Sequence, residues 1–194
     1  RTTKSTLPAP NTPERILDKR ILLTEAYLND RIINDSIRII LADSPQVDFL
    51  NSYFLEYASD PNLPPHALAP WHRKLTIHPE RTWYVPVCHQ RTHWIFLKMN
   101  SQHHTIEQYD SLTSVQTPDY THYLKPFLEE RDEQPWSTSF PNTQQQQNGF
   151  DCGLHVLAEI FRQVYQQPMH PDYFPYREAV LKTLTGTLPE TYYQ

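Results

Sequence analysis

Gln144-Gln-Gln-Gln-Asn-Gly-Phe-Asp-Cys-Gly153 holds one of the two cysteines and two of the three glycines in a chain of 194 residues. An ordinary composition would supply about 14 glycines at this length. Those that remain are expected where other residues will not fit. Gly149 reads as a positive-φ turn, and Gly153 as a point where another group approaches the main chain closely. Beyond them Leu154, Leu157, Ala158 and Phe161 recur at helical spacing, and Val156, Ile160 and Val164 widen the stripe into that of a buried helix. Asp151 is placed to cap it. Cys152 then sits in the first turn, where amide groups and the positive dipole end favour a thiolate over a thiol. A cysteine opening a buried helix is equally a small core residue, so its surroundings must decide.

The length suits one domain, with residues 1–13 reading as a linker (Thr, Ser and three prolines) and residues 14–194 as the folded part. Apolar residues are few at 38%, but twelve tyrosines, eight phenylalanines and four tryptophans supply core bulk. A net charge of −5 argues against general nucleic-acid binding, which wants a basic face. The longest apolar run, Ile39-Ile-Leu-Ala42, is too short to span a bilayer, and nothing resembles a signal peptide. Two cysteines without a patterned framework suggest free thiols in a reducing compartment, nucleus or cytoplasm. Cys88-His89 and His103-His104 are adjacent pairs that point to opposite strand faces, so no metal or other cofactor is expected.

Outward from the cysteine loop, Ser137 to Phe140 reads as a short strand leading into it. Thr82–Cys88, Thr92–Lys98 and Thr105–Tyr109 read as three strands with short polar links, hence antiparallel neighbours. Pro86 implies an edge position or a bulge. Helices are expected from Tyr27-Leu-Asn-Asp30 onward, with Asn29 or Asp30 as cap, across Pro118–Glu130 with a kink or break at Pro126, and over Tyr173–Leu184. Val47–Tyr57 is apolar without a clear period, and Asp60–Pro70, with four prolines, reads as a loop. A helix, a run of strands and then helices make an α+β domain.

A catalytic thiolate needs a base and a group that orients the base. Among ten histidines, His93 is distinguished by lying in a strand beside Trp94 and Ile95-Phe-Leu97. Asp110 ends the next strand. A turn near Ser101-Gln-His-His104 would bring His93 and Asp110 to one end of a hairpin. Asp110 would then hold one ring nitrogen and direct the other at Cys152. Oxyanion donors are available from the Cys152 amide and from a glutamine of the preceding loop, with Gln145, Gln146 and Gln147 equivalent on composition.

Taken together, Tyr27-Leu-Asn-Asp-Arg-Ile-Ile33, Thr92-His-Trp94, Gln108-Tyr-Asp-Ser-Leu112 and Gln146-Gln-Asn-Gly-Phe-Asp-Cys-Gly153 resemble the SUMO-specific (sentrin-specific) proteases and the wider family of cysteine peptidases that process ubiquitin-like proteins. The likeness spans about residues 25 to 186. It implies a papain-like fold, with a mixed or antiparallel sheet flanked by helices and the nucleophile at a helix N-terminus. It also implies Cys152 as nucleophile, His93 as base, Asp110 as its orienting partner and Gln146 as oxyanion donor, without a cofactor. Trp94 matches one wall of the family's diglycine tunnel, and Tyr27 stands where the other wall is usually Trp. Asp30 matches a position that meets a basic residue of the modifier. The implied activity is cleavage after the C-terminal Gly-Gly of a modifier by a monomer: SUMO first, then a ubiquitin- or neddylation-type modifier. A catalytically silent modifier-binding module and an acyltransferase of the bacterial-effector type, acting in host cytosol, are the competing classes.

Overall fold

The computed structural model describes residue 9 and residues 11–77, 80–166 and 174–185. Five strands form one mixed sheet in the order β1 (Val47–Phe49), β2 (Thr82–His89), β3 (His93–Asn100), β4 (Thr105–Tyr109) and β5 (Ser137–Ser139). The three central strands are antiparallel, while β1 joins β2 and β5 joins β4 in parallel. Pro86 lies past the end of β1, whose pairing with β2 stops at Tyr84, so its missing N–H faces no ladder partner there.

Alternation along β2 and β3 sends side chains to two separate cores. Tyr84, Trp94 and Phe96 pack on one face with the buried sides of α2 (Asp30–Ile40), α6 (Cys152–Tyr165) and α7 (Phe174–Leu184). Trp83, Val85, Val87, Ile95, Leu97 and Met99 pack on the other, against α3 (Tyr53–Ala58), α4 (Ala69–Ile77) and α5 (Thr121–Asp132). A strand buried on both faces reads as a near-continuous apolar run, as Trp94 to Leu97 does. Among the described residues no helix is long and apolar enough to cross a membrane.

Several local expectations change. Asn29 caps α2, its side chain accepting from the Ile32 amide at 2.8 Å, which leaves Asp30 in the first turn. Val47–Tyr57 resolves into β1 and most of α3, and the proline-rich stretch after it contains a 3-10 turn (Pro65–Leu68) and the start of α4. Helix α5 runs unbroken through Pro126, with Leu124 and Leu128 buried on either side of it. Proline removes one helical hydrogen bond, and that anchoring offsets the loss. Tyr173 lies outside the described residues, and the helix expected there runs from Phe174.

Helix α1 (Pro13–Leu22) was not expected. Thr12 caps it and Pro13 occupies its first position, but its buried residues are Arg15, Asp18 and Leu22. Arg15 donates to Asp18 at 2.9 Å and to Asp35 at 3.0 Å, and Arg31 closes on Asp18 at 2.7 Å. Ion pairs, rather than an apolar stripe, seat this helix on α2.

Of the two glycine readings, one stands. Gly149 has no positive φ and no atom near the position of a Cβ. A Cβ on Gly153 would lie 3.1 Å from Leu28 Cβ, 3.1 Å from Trp94 Cδ1 and 3.2 Å from Ile33 Cδ1. The neighbours cannot yield easily, because Leu28 Cβ is tied to the backbone and the Trp94 indole nitrogen donates to the Leu28 carbonyl at 2.8 Å. Gly153→Ala should therefore destabilise the fold: overpacking costs about 1–3 kcal/mol, against a helix-propensity gain of at most about 1 kcal/mol. Urea denaturation should show a lower midpoint with an unchanged slope.

Candidate active site

The β2–β3 turn places Gln90 and Arg91 at φ 51° and 63° and delivers His93 as the first residue of β3. The β3–β4 register begins at Phe96↔Tyr109. His93 and Asp110 therefore project beyond the same end of the ladder. Asp110 Oδ1 lies 2.8 Å from His93 Nε2, and that oxygen also accepts from the Leu112 amide at 2.9 Å. With Nε2 occupied, Nδ1 is the ring nitrogen left for the thiol.

The electrostatics follow from this contact. Burial pulls the His93 pKa down, but the hydrogen bonds to Asp110 and to the Cys152 side chain more than reverse it, raising it to about 9. Burial pushes Asp110 up, yet the His93 ring and the Leu112 amide hold its carboxyl below the usual range. The resting pair is an imidazolium held by a carboxylate.

Cys152 opens α6 as expected, and its sulfur lies 3.6 Å from the Thr92 carbonyl. Cys152 is 1% exposed, so its thiol is covered in this conformation. Gly153 brings Trp94 and Leu28 down onto the helix start, and close packing there leaves the sulfur little free surface. The other cysteine, Cys88, is no rival nucleophile: burial first, then the charges of Asp30 and Cys152, push its pKa up to about 12.

Asp151 occupies the cap position, but its side chain makes no capping bond. Its carboxylate binds Arg177 at 2.7 Å and accepts from Asn148 Nδ2 at 2.7 Å. An ion pair has displaced the expected cap.

Of the three glutamines, Gln146 is buried. Its amide nitrogen donates to the Asn148 carbonyl at 2.7 Å, its carbonyl accepts from Ser111 Oγ at 2.7 Å, and its backbone amide donates to the Ser111 carbonyl at 2.8 Å. Gln145 is exposed and staples the two loops, donating to the Asp110 and Thr143 carbonyls and accepting from Thr113. Ser111, Asn148 and Arg177 were not singled out from sequence. Ser111 and Arg177 act through polar contacts between segments far apart in the chain, and Asn148 through a tight loop onto Gln146 and Asp151; residue type alone signals none of them.

Trp94 and Tyr27 differ sharply. Trp94 is 1% exposed and pinned to Leu28, whereas Tyr27 is 47% exposed. Both line a cavity of about 660 Å³ shared with Asp30, Tyr53, Cys88 and Arg91. Asp30 accepts from Ser52 Oγ and Tyr53 Oη, each at 3.3 Å.

Comparison with known proteins is consistent with this arrangement. Residues 25–184 match the model of the Ulp1 protease family, C-terminal catalytic domain. The chain belongs to the Ulp1 protease family. Comparison with curated protein sequences gives no match. Among solved structures, this Ulp1-family domain is similar to the SUMO protease Ulp1 with its catalytic cysteine oxidised to a sulfonic acid (TM-score 0.75, 20% identity, 88% of this chain and 83% of that one). It is also similar to the C-terminal Ulp1 protease domain in complex with Smt3, the yeast ortholog of SUMO (TM-score 0.73, 20% identity, 89% and 82%). A third is the Xanthomonas campestris effector XopD bound to ubiquitin (TM-score 0.59, 20% identity, 80% and 90%). At these identities the likeness is one of fold, and the α+β cysteine-protease architecture expected from sequence is the one observed.

The His93 contact carries a pH signature. Because its folded pKa lies above the unfolded value, the stabilisation is complete below about pH 6.5 and fades as pH rises through about 9. Asp110→Asn removes the largest raising contact. The His93 ring titration followed by NMR should move down from about 9, and the loss of stability over that window should shrink.

Proposed function

We propose that this domain cleaves after the C-terminal diglycine of a ubiquitin-like modifier, SUMO first, releasing it from lysine side chains and from precursors. The observation that carries the reading is the His93–Asp110 pair at 2.8 Å, set against a cysteine that opens a helix in a Ulp1-family domain. The Ulp1 domain solved with Smt3 supports SUMO, and XopD with ubiquitin keeps ubiquitin as the second candidate. Both cysteines are free, in keeping with a reducing compartment, nucleus or cytoplasm.

In this reading Cys152 gives its proton to His93 Nδ1, and the resulting thiolate attacks the carbonyl carbon of the terminal glycine. Negative charge gathers on the carbonyl oxygen, where the Cys152 amide and the remaining N–H of Gln146 receive it. Ser111 and Asn148 hold the Gln146 amide so that its nitrogen faces that oxygen. His93, charged below about pH 9, donates its Nδ1 proton to the leaving amine as the C–N bond breaks. Water then attacks the thioester and His93 takes a proton from it, so the sulfur leaves with the pair restored. Asp110 stays ionised throughout and keeps the ring in register.

The narrow approach explains the diglycine. Trp94 is fixed by Leu28 and Gly153, so the movable wall is Tyr27. A tail without Cβ atoms is the one that passes between them, and selectivity comes from exclusion. Tyr27 has less ring area than the Trp usual at this position, and Asp30, which does not cap the helix and accepts from Ser52 and Tyr53, is placed to meet a basic residue of the modifier.

Purified domain should hydrolyse a SUMO C-terminal amide faster than its ubiquitin counterpart. Cys152→Ala should abolish turnover while complexes persist, and Gln146→Ala should lower kcat by about 10²–10³-fold with little change in KM. Turnover surviving in Cys152→Ala, or no cleavage of SUMO, ubiquitin or neddylation-type substrates, would reject the assignment.

A further inference from the structure

Outside the proposed catalytic set, Arg177 is engaged by partners on every side of its guanidinium. It rises from α7 with its side chain 4% exposed, against an Asp151 carboxylate that is 9% exposed. A guanidinium has five N–H groups, and all five are used. Nε and Nη2 each donate to Asp151 Oδ1, at 2.9 and 2.7 Å. Nη1 donates to the Ile21 and Thr24 carbonyls at 3.2 and 2.8 Å, and the second Nη2 hydrogen goes to the Ala26 carbonyl at 3.1 Å. The guanidinium carbon also sits 5.7 Å from the centre of the Phe150 ring.

These contacts divide into two groups. One reaches the nucleophile's side. Asp151 precedes Cys152 and holds Asn148, whose carbonyl accepts from the Gln146 amide at 2.7 Å. The other reaches the tail-binding side. Ile21, Thr24 and Ala26 belong to the segment that runs into Tyr27, and the next residue, Leu28, accepts from Trp94 at 2.8 Å. One planar cation therefore spans the two parts whose separation fixes the width of the slot above the thiol.

We propose that Arg177 is a positioning residue with two separable jobs. Through Asp151 it compensates the charge and fixes the backbone at the start of the nucleophile's helix. Through the three carbonyls it sets the Tyr27 wall. The second job rests on the proposed diglycine specificity, whereas the first does not need it.

The groups around Cys152 are His93 and Asp110 from the sheet, Cys88 on β2, His155 one turn along α6, and the Asp151–Arg177 pair. Without Arg177, a buried carboxylate one residue before the nucleophile is left uncompensated, and a negative charge there opposes development of the thiolate. Neutralising Asp151 as well removes that opposition but does nothing for the loop that carries Tyr27. Damage to the fold as a whole would not separate in this way.

The test compares wild type, Arg177→Met, Arg177→Lys and the double variant Arg177→Met/Asp151→Asn, with folding followed by circular dichroism. Iodoacetamide alkylation of Cys152, resolved from Cys88 by peptide mass spectrometry, reads the nucleophile without substrate. Hydrolysis of a SUMO C-terminal amide gives kcat and KM. In Arg177→Met, alkylation should slow, KM should rise and kcat/KM should fall by on the order of 10²-fold. Adding Asp151→Asn should return alkylation toward wild type while KM stays raised. If Arg177→Met does not fold, Arg177→Lys decides: an ammonium keeps the charge but has only three N–H groups, so alkylation should hold and KM should rise. Alkylation and KM that move together and are not separated by Asp151→Asn, or an Arg177→Lys with wild-type KM, would overturn the proposal. A wild-type protein that alkylates normally but cleaves no modifier would instead count against the proposed function, and the alkylation series would still report on the Arg177–Asp151 coupling.

Discussion

A carboxylate held against an imidazole at the open end of a β-hairpin is the contact on which the rest depends. Asp110 and His93 are seventeen residues apart, and only the β3–β4 register brings them to 2.8 Å. Both are largely desolvated, which alone would drive each toward its neutral form. Their mutual hydrogen bond reverses that tendency on both sides, and the site holds an acid ready for a leaving group. The sheet keeps this geometry because β3 is buried on both faces, with Trp94 and Phe96 in one core and Ile95 and Leu97 in the other. A one-residue slip would exchange those faces.

The nucleophile is delivered by a second constraint, the close approach of α6 to Trp94 and Leu28 at Gly153. The same packing covers the sulfur, so access and anchorage are in tension. One wall is fixed through the indole hydrogen bond and the other, Tyr27, stands in solvent. The segment carrying Tyr27 is in turn tied to Asp151 through Arg177. Substrate entry and nucleophile placement are thus mechanically linked across one buried ion pair.

Much of this was legible in the sequence because it rests on local signals. Apolar, β-branched and aromatic runs marked β2 and β3, the Asn29 cap marked the start of α2, and scarcity gave Gly153 its meaning. What failed shares a different character. Helix α1 buries Arg15 and Asp18 and exposes Ile16 and Leu17, so only Leu22 and Ile21 at its end reach the core, and tertiary ion pairs place the rest. Asp151 has the right residue type for a cap, but a partner 26 positions later claims its carboxylate. Gly149 has the residue type of a positive-φ turn, yet its backbone adopts no positive φ. Among the glutamines, composition left three candidates. Their burial separates them through Ser111 and Asn148, neither of which stands out by type.

The proposed chemistry requires the covered thiol of Cys152 to become the attacking group when a modifier tail enters beside Trp94. The most direct measurement is incubation with SUMO carrying a C-terminal electrophile, followed by mass mapping of the adduct. A single covalent bond at Cys152, lost in Cys152→Ala, is the expected result. Intact protein that forms no adduct with SUMO, ubiquitin or the neddylation modifier, or one bonded at Cys88 instead, would contradict it.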